Sequence, residues 1–425
     1  MKIFRNSVFS ILLLITILPL KAQQIQHNDE NIRNEAINIF LDCHRCDVDY
    51  IRRELPYVNY VRDRQEADVH ILITQESTGS GGKKYRIHLI GQGQFEGIDD
   101  QVIYISSPDD TRDKIREGYT RMLAIGMMKY VGQTPLSRHI NISYDLATTS
   151  AGQKEKIVED KWKSWVFDIG MSGQWDEQET YNSLEFENDI SAEKVTPDWK
   201  IEFAGNYDEK LRNYRIEDTI YRSEKTSASF RHLLVKSITD HWSVGGRASF
   251  STSSYSNTQF SWSVYPAVEY NVFPYDQSSR KQLRIQYRVG YGYTFYQDTT
   301  IYDKIKEGLF GQQLSIALGI RQPWGSLNGS LRGFTYLHDW SKNSLKIQGS
   351  VYFRVLKGLS LKIHGDAALI HNQLSLPKAG ATPEEILLRQ IQIASQYDYS
   401  IHIGFSYTFG SIYNNVVNPR FGDRY

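Results

Sequence analysis

From about residue 163 to residue 409 apolar and polar side chains alternate over most of the chain, and that alternation constrains its fold more than any other feature. Leu283, Ile285, Tyr287, Val289, Tyr291, Tyr293 and Phe295 share one parity, and Arg284, Gln286, Arg288, Gly290, Gly292 and Thr294 share the other. Neighbouring side chains of a strand point to opposite faces, so a period of two means strands with one greasy and one polar face. Twelve such segments are expected, at about 163–176, 181–193, 198–209, 224–237, 241–253, 258–273, 280–296, 308–322, 325–338, 343–355, 358–371 and 396–409. The fourth is the least regular, because Ser227 to Val235 alternates poorly. Many exceed the usual strand length of a soluble sandwich.

These strands are not hydrophobic on average, since the chain's mean hydropathy is -0.47. A closed barrel pairs all its backbone groups internally, so its strands can cross hydrocarbon with only one face apolar. The aromatic content fits: 28 Tyr, 18 Phe and 8 Trp, 13% of the chain, with Trp165, Trp175, Trp199, Phe295, Tyr397 and Phe409 near strand ends, where interfacial anchors belong. An even strand number returns the chain to its starting side. Connections after the even strands are short, near Pro197, Asp240, Pro274, Pro323 and Lys357, whereas 210–223, 297–307 and 372–395 read as long loops on the other side. The expected fold is therefore an all-β transmembrane antiparallel barrel of about 12 strands over 163–409, in the outer membrane, with residues 410–425 as a periplasmic tail.

What precedes the barrel fits that address. Lys2 and Arg5 lead an apolar run from Val8 to Leu20, which ends at Leu20-Lys21-Ala22 and reads as a secretory signal over 1–22. Its removal takes three basic residues and no acid from a chain holding 49 of each sign, leaving it slightly negative. No bulk charge favours nucleic acid. Residues 23–135 read as a small periplasmic α/β domain. Its expected strands are Ile37–Asp42, Val58–Arg62, Val69–Thr74, Tyr85–Leu89 and Val102–Tyr104. Short helices are expected at Asn31–Ala36 and at Asp47–Leu55, and a longer one opens at Asp109-Asp110, with Ile115, Tyr119, Met122, Leu123 and Met127 on one face. Residues 136–162 form a linker.

Cys43 and Cys46 lie between a strand and a helix. A structural disulfide of an oxidising compartment and a redox pair are both open readings. Two thiols alone make no zinc site, Asp47 stands where a haem motif needs His, and the glycines of 79–84 and 91–97 have neither phosphate-loop nor dinucleotide spacing. No cofactor and no metal are expected.

With the polar parity facing inward, the lumen candidates segregate by sign. Asp168, Glu185, Glu187, Asp189, Glu202 and Asp208 come from the first three strands and Glu269 from the sixth. Arg247, Arg284, Arg288, Arg321, Arg332, Lys346, Arg354 and Lys362 come from the fifth and from the seventh to eleventh. Two lumens follow: one closed by ion pairs across it, or a water-filled channel with a transverse field. Ser400, Ser406 and His402, and His364 with Asp366, share strand faces as a hydrolase would need, but no strained nucleophile motif surrounds the serines. The reading is a non-enzymatic barrel for passive transport of small solutes, or for binding and envelope organisation. A lipase-like hydrolase and a secreted soluble β-protein are the alternatives. Expected partners are outer-membrane lipids, the barrel-assembly machinery and a periplasmic protein.

Four segments, Phe40-Leu-Asp-Cys-His-Arg-Cys-Asp47, Val58-Asn-Tyr-Val-Arg-Asp63, Val69 to Gly82, and Phe409-Gly-Ser-Ile-Tyr-Asn-Asn415 on to Pro419-Arg420-Phe421, resemble those of outer-membrane β-barrel proteins of the Bacteroidota type, a family of uncharacterised function. The resemblance implies a secretory signal, a periplasmic α/β domain and a C-terminal barrel. It also implies an assembly signal in a terminal aromatic, for which Phe409 and Tyr425 both qualify.

Overall fold

The computed structural model describes residues 36–79, 81–140, 161–216, 219–380, 391–415 and 420. The expected signal, nearly all of the first short helix, most of the linker, and Pro419, Phe421 and Tyr425 lie outside the described residues.

The N-terminal unit is a five-stranded sheet in the order β2-β1-β3-β4-β5. Strand β1 (Asn38–Asp42) runs parallel to β2 (Asn59–Tyr60) and β3 (Val69–Ser77), and β3, β4 (Lys83–Gly91) and β5 (Asp99–Ile105) are antiparallel. Helix α1 (Val48–Glu54) starts where it does because the Asp47 carboxylate accepts the Tyr50 N–H at 2.9 Å. The same carboxylate takes Arg116 Nη1 of α2 (Arg112–Val131) at 2.9 Å, tying the helices together. Helix α2 opens at Thr111, later than expected, because Asp110 closes the preceding turn on the Ser107 N–H at 2.8 Å. Both helices cover one face, where Ile39, Val69, Ile71, Ile87 and Leu89 meet Ile51, Leu123, Met127 and Tyr130 with almost no exposure. The Tyr130 hydroxyl can sit there because the Leu89 and Ile98 carbonyls, at 3.0 and 2.7 Å, take its proton.

The rest of the chain is mostly β and barrel-like: a 12-stranded antiparallel sheet in which each strand pairs with the next in sequence. Its strands are β6 (Trp165–Gln178), β7 (Tyr181–Val195), β8 (Trp199–Ile216), β9 (Thr219–Ser237), β10 (Trp242–Ser253), β11 (Thr258–Asn271), β12 (Lys281–Tyr296), β13 (Lys306–Gln322), β14 (Gly325–Tyr336), β15 (Asn343–Leu356), β16 (Leu359–Ile370) and β17 (Tyr397–Tyr407). All twelve overlap the segments expected from alternation. Two features differ. Residues 210–216 and 219–223 are not a loop: β8 runs to Ile216 and β9 starts at Thr219, held by cross-strand partners such as Lys210↔Lys225 and Tyr214↔Tyr221. Nor is the sheet closed: β6 and β17 are its two edges and are not paired with each other.

The sheet nevertheless curls. Val195 at the end of β7 packs against Gly79 so closely that a Cβ there would strike the Val195 carbonyl, while Arg354 of β15 bonds Asp42 at 2.9 Å. Asp42 pairs with Leu72, seven residues before Gly79, a span of at most about 23 Å. Eight interstrand steps in a flat sheet would separate β7 from β15 by about 38 Å. Contacts also cross the sheet at its other end, where Asn257 before β11 donates to Ser375 after β16 at 2.8 Å, as in a sheet that wraps around.

Its two faces are inverted relative to a water-soluble protein. Along β12 the apolar Ile285, Tyr287 and Val289 are exposed, whereas Arg284, Gln286 and Arg288 between them are half-buried. The outward stripe continues with Ile190, Phe250, Val264, Phe310, Leu314 and Ile347. Across that surface Trp165, Phe203, Phe230, Phe250 and Phe260 form a chain of ring contacts with centroids 6.2 to 6.4 Å apart. Apolar exposure on this scale is a surface built for something other than water.

Candidate functional site

The face of the N-terminal sheet away from its helices is buried as well. His70, Leu72 and Thr74 are at most 2% exposed, and His88 is 8% exposed. The end of the large sheet meets the domain through Arg354, Lys357 and Gly358, which contact Asp42, Glu66 and Asp63, and Arg280 lies within electrostatic reach of His88. Arg354 is the principal clamp: its Nη1 donates to Asp42 Oδ2 and to the Pro323 carbonyl, both at 2.9 Å, and its guanidinium lies 5.0 Å from the centre of the Phe40 ring. Asp42 also faces His70 Nε2 at 3.4 Å. Burial alone would raise the Asp42 carboxyl's pKa, but the His70 and Arg354 interactions outweigh it and hold the pKa below the ordinary value. Beside this clamp, Lys357 pairs with Glu66, and Asp63 accepts the Gly358 N–H at 2.6 Å. Gly358 has φ +74°, and a Cβ there would strike the Thr408 carbonyl, so only glycine suits this turn.

The segment after β17 completes the joint. Arg62 N–H donates to the Ile412 carbonyl at 3.1 Å, Asn414 N–H to the Tyr60 carbonyl at 2.8 Å, and Tyr60 N–H to Asn415 Oδ1 at 2.7 Å, with Val61 bridged to Tyr413. The end of the chain thus adds a short strand to the free edge of β2. At the opposite end of the large sheet, the segments after β10, β12 and β16 lie together. Ile301 N–H donates to Leu376 O at 2.9 Å, Lys378 N–H to Thr299 O at 2.8 Å, and Asn257 Nδ2 to Ser375 O at 2.8 Å.

Of the lumen candidates, the acidic group makes its contacts within its own wall. Glu185 pairs with Lys210 at 3.1 Å and with Arg212, Glu187 with Lys210 at 3.3 Å, and Glu202 with Lys200 at 3.8 Å. Asp168 is exposed on edge strand β6. Among the described residues no ion pair joins the acidic strands β6–β8 to the basic strands β10–β16, which corrects the expected closure by ion pairs across the lumen. The basic residues Lys210 and Arg212 lie directly beside the acids on the register of the neighbouring strand, and proximity decides the pairing. Arg354 does not line the interior but holds the domain. Arg321, Arg332 and Lys362 are exposed on the polar parity, with Arg332 directly opposite Lys346.

Arg247, Arg284, Arg288 and Glu269 come together in a cavity of about 710 Å³ at the domain-facing end of the polar face. Glu269 accepts from Tyr275 at 3.1 Å and from Gln286 at 3.0 Å, and Arg288 Nη2 donates to Gln313 at 2.7 Å. Leu233 and Val235 supply an apolar wall, which explains why β9 alternated poorly: its inward face is greasy here. Elsewhere, Ser400 donates its hydroxyl to Asp366 at 2.6 Å, and His402 stands opposite His364. Cys43 and Cys46 are joined in a disulfide with Cα atoms 5.7 Å apart.

No family model and no curated protein matches this chain. Among solved structures, one titled "NanC porin structure in rhombohedral crystal form" is similar at a TM-score of 0.27 and 9% identity, covering 57% of this chain and 100% of that one. At that level of similarity it informs neither activity nor ligand.

Proposed function

We propose that the chain is an integral outer-membrane barrel whose periplasmic mouth is capped by its own N-terminal domain, and that it binds or passes a small solute without catalysing a reaction. One observation carries this reading: the apolar side chains of a curled 12-stranded antiparallel sheet, Ile169, Val264, Leu314 and Ile347 among them, lie exposed, and along β12 the polar side chains between Ile285, Tyr287 and Val289 are half-buried. Lipid is the solvent in which that arrangement is stable. The edges of β6 and β17 would pair there, because unsatisfied backbone groups cannot remain in hydrocarbon. Lipids and the barrel-assembly machinery follow as partners, and the N-terminal domain supplies the surface for a periplasmic one. The cap over one end and the packed loops at the other favour a closed or gated barrel over a permanently open pore.

The test is fluorescence quenching at single cysteines along β13 in a cysteine-free background, in lipid vesicles. Leu314, Ile316 and Leu318 positions are expected to respond to a lipid-soluble quencher, and Gln313, Ser315 and Ala317 positions are not. Absence of that two-residue period, with release of the chain by carbonate wash, would show a soluble sandwich instead.

A further inference from the structure

The cavity on the polar face holds arginines that no carboxylate pairs. Asp198, Asp240 and Glu269 line it too, yet among the described residues no ion pair involves Arg247, Arg284 or Arg288. Glu269 is engaged by the neutral donors Tyr275 and Gln286 instead. The Nε atoms of Arg284 and Arg288 are buried with no hydrogen-bond partner, and Arg288 lies within electrostatic reach of both Arg247 and Arg332. Arg284 and Arg288 are half-buried and Arg247 is exposed at the cavity, and half-buried guanidinium charge that no carboxylate pairs is unfavourable until an anion neutralises it. The planar guanidinium fork fits a carboxylate through two parallel hydrogen bonds.

The remaining walls restrict which anion fits. Leu233, Val235 and Ala267 present an apolar surface on the strands adjoining the arginines, and the Tyr265 ring stacks under the Arg288 guanidinium at 5.2 Å. A free inorganic ion would leave that surface wet. We infer that the cavity is a binding site for an organic carboxylate with an apolar body, its head on Arg284 and Arg288 and its body against Leu233 and Val235. The volume of about 710 Å³ is that of a small-molecule site. This inference rests on the reading that the polar face encloses a lumen.

Binding of 4-phenylbutyrate to the full-length chain in lipid nanodiscs tests it by calorimetry, with 4-phenylbutanol and sulfate as comparison probes. Saturable binding of phenylbutyrate is expected, with neither comparison probe matching it. Arg284→Gln with Arg288→Gln is expected to weaken it at least tenfold, and Leu233→Gln to weaken it while leaving sulfate unchanged. No saturable binding by the unsubstituted protein, or equal affinity in the double arginine variant, overturns the site. Tighter binding of sulfate than of phenylbutyrate overturns the assignment of an apolar body. The quenching period along β13, measured on the same samples, separates failure of this site from failure of the barrel reading. Heat-modifiable gel migration confirms that each variant is folded.

Discussion

Arg354→Ala tests the cap directly, because a single side chain carries several of its contacts. The substitution removes a charge-assisted hydrogen bond to Asp42 at 2.9 Å and a guanidinium 5.0 Å from the Phe40 ring. Both ionic partners are mostly shielded, with side-chain exposures of 16% for Arg354 and 23% for Asp42. Hydrogen bonds to charged groups contribute about 1.5–3 kcal/mol, and a partly desolvated cation over an aromatic ring adds about 0.5–1 kcal/mol. The docked state should therefore lose about 2–4 kcal/mol, or about 30- to 900-fold in the ratio of docked to released domain. Hydrogen exchange on the full chain in nanodiscs reads that ratio at two amides that only docking protects: Gly358, which donates to Asp63, and Arg62, which donates to Ile412. Both should exchange at least about 30-fold faster, while Leu89 and Leu123 in the domain core keep their protection. A change at Gly358 and Arg62 smaller than about threefold, with the barrel intact, would refute the clamp.

Other consequences are open to equally direct checks. Leu314→Arg places a charge on the exposed apolar face; it should cost about 2–4 kcal/mol of barrel stability in lipid, measured by urea titration in vesicles, and a cost near zero would mean that water bathes that face. Acidification should weaken the cap in two windows. Burial, then Arg280 and Arg86, push His88 down to about 4 in the docked domain, so a released domain binds the proton more tightly, and docking is lost progressively as pH falls from 6.5 to about 4. The depressed Asp42 carboxyl contributes stability that is present above its ordinary 3.8 and lost as pH falls below that value. Exchange at Gly358 that stays flat from pH 7 to pH 3.5, after correction for intrinsic rates, would contradict the His88 assignment. Cysteines at Ile169 of β6 and, one at a time, at Ile401, Ile403 and Phe405 of β17 should yield a cross-link in membranes if the edges meet; no product from any of the three pairs would argue against closure.

The strands were legible because their signal is local. Alternation at 283–295 needs no knowledge of partners, and the pairing of each strand with the next follows from short turns. The hairpin of β8 and β9 was misread as a loop because Glu209, Lys210, Arg212, Lys225 and Glu224 make its sequence resemble a solvated surface segment. Only their cross-strand register shows that they are paired. Ionic partners were legible by type but not by address: Arg354 sits on the polar parity like Arg288, yet lies at the strand end, where its partner comes from 312 residues away. The apolar wall of Leu233 and Val235 was visible only as a failure of pattern, which names no ligand.

Three of the segments that carried the resemblance meet at one joint. Phe40 and Asp42 receive Arg354, Tyr60 to Asp63 receive the Gly358 turn and the chain's end, and Ile412 to Asn415 form that end. The barrel segments between them contribute through alternation and glycine-compatible turns, which many sequences satisfy. A surface that must match another residue by residue tolerates fewer substitutions than a face that need only be greasy. The physically demanding part of this chain is therefore the junction of cap and mouth. Its contacts mix hydrogen bonds, ion pairs and few apolar anchors, a composition suited to a joint that opens, unlike the dry helix-covered core of the domain behind it. The arginine cavity is built elsewhere, from β8 to β12 and the turns at 196–198 and 238–240, so none of the residues that line it takes part in that joint.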